Sequence, residues 1–247
     1  MTITEFSNTF DVLYDNLATK GSPGLDRYDK SVFLSKAQLE IVKNKYNPLG
    51  NKYKKGFEQN EQRRTDIREL IKDEKSTTKV NSTNKINDDS VLFKIPEDVL
   101  YIIFEEGQIA STEAWCEAGS YLDISPITHD EFKTSFKNPF KRPDRGNAFR
   151  LDLSEQDNNK VVEIYSEYPI DEYHFRYIKL PPPIILSNLD EEFVEEGLTI
   201  QGEKNESNCV LDPSIHQEIL NRAIELAINY YKEGDIKSTV QLNTRNE

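Results

Sequence analysis

The 247-residue chain carries 31 Lys+Arg against 44 Asp+Glu, a formal net charge of −13, with an apolar share of 36%. That length supplies a core for one large domain or two small ones, and 12 Tyr with 12 Phe take the composition out of the disordered class. So acidic a chain argues against non-specific duplex binding, which needs clustered cations to release counterions, and no apolar run approaches the ~20 residues of a membrane helix.

The charge is uneven. Residues 1–90 hold 16 basic and 14 acidic side chains; residues 91–247 hold 15 and 30. Met1–Phe10 is polar and lacks the apolar stretch of a signal peptide. The two cysteines, Cys116 and Cys209, therefore read as reduced thiols of a protein made in the cytoplasm.

Thr2–Ile3–Thr4–Glu5 fits a capping box, and Phe6, Phe10, Leu13 and Leu17 follow on one helical stripe. Gly21–Ser22–Pro23–Gly24 stops that helix. A second helix is predicted from about Lys30 to Tyr46, with Phe33, Leu34, Ala37, Ile41 and Val42 inward, ended by Asn47–Pro48–Leu49–Gly50. Lys54–Glu74 has helical propensity but is mostly polar, with only Phe57, Ile67, Leu70 and Ile71 ready for burial. Ser76–Ser90 is rich in Ser, Thr and Asn and reads as a loop or linker.

Strand signals begin at Val91. Val91–Ile95 and Val99–Glu105 are separated by Pro96, and Trp115 is expected to anchor the following segment in the core. Ala148–Leu153 turns Phe149, Leu151 and Leu153 to one face. Lys160–Tyr165 and Glu172–Ile178 continue what looks like an antiparallel meander, with turns at Asp157–Asn159 and Pro169. Leu180–Pro183 is forced extended, Ile184–Leu186 prolongs it, and Asp190–Glu206 is an acidic loop around one short strand, Leu198–Ile200. Asp212 caps a last helix with Pro213 in its first turn. Ile215, Ile219, Ala223, Leu226, Ala227 and Tyr230 form its stripe, and Gly234 lies beyond as a stop.

The expected fold is α+β: N-terminal helices, a central antiparallel β-rich domain and a C-terminal amphipathic helix. By region this gives helices over 1–75, a linker over 76–90, the β-rich core over 91–211, the last helix over 212–232 and a polar tail over 233–247.

Chemistry-bearing patterns are sparse. Thr128–His129–Asp130–Glu131 is a second capping box, and its neighbouring His and acids point different ways on a helix rather than converging. His129, His174 and His216 show no three- or four-residue spacing for zinc. Neither cysteine sits in a CxxC, and no GxGxxG or GxxxxGK(S/T) phosphate cradle occurs. No catalytic, cofactor-binding or metal residue is assigned.

Pro126–Leu153 is the most informative stretch. It holds Lys133, Lys137, Lys141, Arg142, Arg145 and Arg150 within the acidic part of the chain. Asn138–Pro139–Phe140 and Pro143–Asp144–Arg145–Gly146 turn the chain twice, presenting Lys137, Lys141, Arg142 and Arg145 as a compact basic knob. One reading is a solvated loop balanced by the protein's own acids; the other is a docking surface for an acidic patch on another subunit, where complementary charge sets register. A second contact candidate runs from Arg176 through Lys179, Pro181, Pro182, Pro183, Ile184 and Ile185. It lies along a neighbour or closes a sheet edge.

Several ordered motifs carry a family resemblance: Phe10–Tyr14, Leu25–Gln38, His129–Phe132 with Asn138–Phe140, the Arg176–Leu186 arm, and His216–Ala223. Together they resemble the structural ring proteins of crAss-like phages of gut Bacteroidales, across nearly the whole chain. The resemblance implies a non-enzymatic adaptor of the head–tail connector, assembled with itself as a ring of about twelve copies below the portal protein and against neighbouring tail or ring proteins. Genomic DNA would pass through the channel without specific binding, no cofactor or membrane would be involved, and the site of residence would be the virion neck. Rival readings are a tail hub, a lower neck ring or a packaged cargo protein; beyond the virion frame, a phage hydrolase or a small regulatory binding protein.

Overall fold

The computed structural model describes residues 1–17, 24–47, 57–80, 85–110, 119–143, 146–153, 160–189 and 198–232. Outside them lie the expected stops at Gly21–Pro23, Pro48–Gly50 and Gly234, the Trp115 anchor, Cys116, Arg145, the Asp157–Asn159 turn, most of the acidic loop and the 233–247 tail. In chain order come helices α1 (Ile3–Leu17), α2 (Arg27–Tyr46) and α3 (Glu61–Ile67), the last continued by a 3-10 turn at Arg68–Leu70. Strands β1 (Ile71–Ser76), β2 (Lys79–Val80), β3 (Val91–Lys94), β4 (Val99–Ile109) and β5 (Tyr121–Pro126) follow. Then come α4 (His129–Lys137), β6 (Asn147–Asp152), β7 (Val161–Tyr165), β8 (Ile170–Lys179) and, after an irregular stretch and a 3-10 turn at Pro213–Ile215, α5 (His216–Lys232). The fold is α+β, as expected.

The chain divides into two compact units: Met1–Leu70 with Pro181–Glu247, which is helical, and Ile71–Leu180, which holds the sheet.

In the helical unit the capping box at Thr2 forms: the Thr2 amide donates to Glu5 Oε2 at 2.8 Å and the Glu5 amide to Thr2 Oγ1 at 3.3 Å. α1 then buries Phe6, Phe10 and Tyr14, and α5 buries Ile219, Leu220, Ala223, Ile224, Leu226 and Ala227, with α5 packed on both α1 and α2. Each large side chain so buried contributes about 1.5–3 kcal/mol. α2 starts earlier than its apolar pattern indicates because Asp26 caps it, accepting from the Asp29 amide at 2.8 Å. Its inward face is part polar. Ser31, Ser35 and Gln38 are buried with Leu34, Ala37, Ile41 and Val42 because they bond the extended arm 181–186 of the same unit.

The sheet unit contains, among the described residues, one eight-stranded sheet ordered β1-β8-β4-β5-β6-β7-β3-β2. Here three expectations are corrected. Among the described residues from Phe57 on, the expected Lys54–Glu74 helix is only α3 and a 3-10 turn; Ile71–Ser76 is instead an edge strand, because the backbone ladder to β8, from Ile71↔Ile178 to Ser76↔Tyr173, overrides the helical propensity of Lys72–Lys75. Part of the Ser76–Ser90 linker, Lys79–Val80, adds to β3. The sheet is also no simple meander: β5 and β6 pair in parallel, from Asp123↔Asn147 to Pro126↔Arg150. A parallel pair needs a crossover, and α4 is that crossover.

Two apolar layers flank the sheet. Phe93, Ile95, Ile109, Leu122, Ala148, Ile164, Tyr173 and Phe175 belong to the larger. Phe132 of α4 packs with Leu151 and Tyr165 in the smaller, with Phe136 and Phe149 against it. Residue alternation on β6 sends Phe149 and Leu151 to α4, as the sequence pattern requires, and Ala148 to the larger layer. β7 is buried along its whole length, so its Glu163 is paired. That carboxylate accepts from the Ile86 amide at 2.7 Å and from the Ser90 hydroxyl.

Candidate functional site

The basic stretch is built by the β5–α4–β6 crossover. Thr128 caps α4, its Oγ1 accepting from the Glu131 amide at 3.3 Å, and Phe132 with Phe136 fastens the helix to the sheet. Asn138 caps the C-terminus of α4 and builds the turn after it. Its side-chain Oδ1 accepts from the Phe140 amide at 3.0 Å, while its carbonyl accepts from the amides of Lys141 at 3.0 Å and Arg142 at 2.9 Å. Pro143 is buried and closes the turn.

The six basic residues separate. Lys133, Lys137, Lys141 and Arg142 are exposed, and none of the four makes an ion pair among the described residues. Arg150 is instead a core residue, bonded to the buried carboxylate of Glu105. Arg145 lies outside the described residues. At the tip sits Phe140, 96% exposed, whereas the other exposed large apolar side chains among the described residues range from 36% to 69%. Sequence reading identified Asn138–Phe140 as a turn but gave Phe140 no role. The signal available was an aromatic residue between proline and two cations in a polar turn.

The second candidate divides between the units. On β8, Arg176 is exposed, 5.9 Å over the Phe104 ring and 3.5 Å from Asp73, and Lys179 lies 3.4 Å from Asp98. Pro181, Pro183, Ile184 and Ile185 are buried in the helical unit, and Pro182 is half-buried. Prolines cannot donate, so the arm is held through its carbonyls and its remaining amides. Gln38 Nε2 donates to the Pro182 carbonyl at 2.9 Å, and the amides of Ile184 and Leu186 donate to Ser35 and Ser31, each at 3.0 Å.

The helical unit contains a groove of ≈ 510 Å³ between α2 and α5, lined by Glu40, Ile41, Asn44, Glu218, Asn221, Arg222 and Glu225. Arg222 donates to both oxygens of Glu40, at 2.7 and 2.8 Å, and to Glu225 at 2.7 Å. Glu40 above all, with Glu225, holds the guanidinium above its ordinary pKa. Lys45 sits 3.0 Å from Asp66 and 2.9 Å from Glu218; burial opposes its charge, but these two carboxylates outweigh burial and raise its pKa. Sequence reading missed this network because its members are far apart along the chain.

Among the described residues, no group of three or more His, Cys, Asp or Glu is arranged to hold a metal ion, and no helix is long and apolar enough to cross a membrane. His129 bonds the Asp152 carbonyl at 3.0 Å, and His174 lies beside Glu106 and Glu172.

The family model described as phage tail ring protein 3/4 matches residues 1–238. The chain belongs to that family. It is 38% identical to Ring protein 4/5 of Bacteroides phage crAss001 over the full length of both chains. It is 35% identical to Ring protein 3 of the same phage, over 92% of this chain and 95% of that one. The resemblance to crAss-like phage ring proteins thus holds across both units, and by family the chain is a bacteriophage structural ring protein.

Proposed function

We propose that this chain assembles with copies of itself into a closed ring of the virion head–tail connector, between the portal protein and the tail, around the channel through which the genome leaves. The full-length kinship with two ring proteins of one phage carries the reading. The role is structural and non-enzymatic. The ring holds about twelve copies joined head to tail, since heterologous contacts close into rings when their rotation allows. Lys137, Lys141, Arg142 and Arg145, with Arg176 and Lys179, supply positive contacts to acidic neighbours.

The acidic balance of residues 91–247 suits a channel wall that repels DNA, so the genome slides without sticking. Subunits are made in the host cytoplasm and reside in the particle neck. An electron-microscopy map of the portal–tail junction at side-chain resolution tests the whole reading. The expected result is this chain in a ring below the portal with an acidic wall; its absence from purified virions overturns the reading, and a basic wall overturns the channel role.

A further inference from the structure

Two surfaces described above carry opposite charge, one a protruding turn and the other a groove. The first is the turn after α4. It exposes Phe140 almost completely, on a backbone held by three hydrogen bonds to Asn138, with Lys137, Lys141 and Arg142 around it and making no ion pair among the described residues. A rigid, exposed aromatic ring with a basic rim is the form of an interface anchor, because it loses little conformational entropy on burial and its charges set the register.

The second surface is the α2–α5 groove. Its ≈ 510 Å³ lies within the range of cavities that hold a drug-sized molecule and exceeds the need of one aromatic ring. Ile41, 4% exposed, supplies an apolar floor. Arg222 has its N–H edge engaged by Glu40 and Glu225, and a guanidinium so engaged still stacks its face on an aromatic ring. Four carboxylates (Glu40, Asp66, Glu218, Glu225) meet two cations (Lys45, Arg222), so the network holds an excess of two negative charges. The side chains of Glu218 and Glu225 are about half exposed, at 53% and 49%, and sit where an incoming cation can reach them.

We infer that the Phe140 turn of one copy seats in the α2–α5 groove of a second copy, Phe140 over Ile41 and Arg222 and its flanking cations against Glu218 and Glu225. This rests on the ring reading and names the contact that would join its subunits. The surfaces differ, so the contact is heterologous and each copy offers one turn and one groove, as a closed ring requires.

The test places p-benzoylphenylalanine at position 140 and irradiates a mixture of isotopically light and heavy protein, so that links between copies are separated from links within one. The expected product joins residue 140 of one copy to peptides within 36–46 or 216–232 of another. Crosslinks confined to other peptides, to another virion protein, or absent altogether overturn the inference. In parallel, Phe140→Ala should weaken self-association about tenfold or more, and Phe140→Trp should retain it. The site is exposed and its substitution leaves the fold intact. If Phe140→Ala associates as the unaltered protein does, this contact is wrong while the ring stands; if the chain forms no ring in the particle, the ring reading fails with it.

Discussion

Tyr173 donates its hydroxyl to Oε2 of Glu105 at 2.8 Å, and Arg150 takes the other oxygen of the same carboxylate. The three side chains come from β8, β4 and β6, and all are buried. Burial chiefly raises the pKa of Glu105, and Arg150 opposes that rise. The Tyr173 hydroxyl is pushed up by burial first and by the neighbouring Glu105 charge second.

Arg150→Met should therefore destabilise the sheet unit by about 3–5 kcal/mol at neutral pH, because it leaves the Glu105 charge without its partner. Glu105→Leu with Arg150→Met should recover most of that loss. In the single variant Glu105 has a folded pKa above its unfolded one, so its contribution is favourable below about pH 4.3 and is lost as pH rises through the folded value. Urea melts at pH 5 and pH 8 check this; a variant as stable as the unaltered chain at both would contradict it.

The arm over residues 181–186 depends on two serine hydroxyls. Ser35 accepts from the Ile184 amide and also donates to the Ile184 carbonyl at 3.2 Å, while Ser31 accepts from the Leu186 amide. Ser31→Ala with Ser35→Ala leaves two buried amides unsatisfied, a cost of about 1–3 kcal/mol each. Hydrogen exchange at Ile184 and Leu186 should accelerate well beyond that of β8, and equal protection of those amides in the variant would count against the argument.

His216 titrates in the helical unit. Its Nε2 bonds the Leu211 carbonyl at 2.9 Å, its Nδ1 faces the Met1 amine at 2.7 Å, and its ring lies 5.2 Å from that of Phe6. Burial is the main cause that lowers its pKa; the Met1 amine adds to it, while the Leu211 carbonyl and Asp212 oppose it. A lowered folded pKa means that stability is fully present above the unfolded value, about 6.5, and is lost as pH falls through the folded one. Melting temperature should drop between pH 7.5 and pH 5, and His216→Asn should flatten that slope.

Cys209 is a free thiol whose pKa burial pushes up to about 11. Thiolate is the reactive form, so at pH 8 this site should alkylate far more slowly than an unhindered cysteine. Iodoacetamide labelling of a Cys116→Ser protein, followed by mass spectrometry, measures it; labelling at the rate of a free cysteine peptide would refute the assignment.

Local chemistry was legible in the sequence wherever one segment decides its own structure. The caps at Thr2, Thr128 and Asp212 form as their spacing indicates, with Asp212 Oδ1 accepting from the Ser214 amide at 2.8 Å. The inward stripe of α5 from Ile215 to Ala227 and the Phe149–Leu151 face of β6 follow from periodicity alone, whereas Tyr230, expected on the same stripe, is 69% exposed. Pairing across long separations was not legible. Lys72–Lys75 carries helix-favouring charges, and only the β8 ladder makes it a strand. Nothing local tells that β6 runs parallel to β5, nor that Arg150 is buried while Lys141 is exposed, because both depend on which strand lies alongside. Burial of the proline arm likewise depends on Ser31, Ser35 and Gln38, about 150 residues away along the chain.

The helical unit takes its residues from before and after the sheet unit in chain order: α1 and α2 precede the eight described strands, and α5 follows them. During synthesis the sheet can close once residue 179 has emerged, but α1 and α2 still await α5, on which both pack. Domains generally fold as units in the order they leave the ribosome. Here α1 and α2 must therefore wait for α5. A nascent chain completes the α2–α5 face only after the whole sheet unit has left the ribosome.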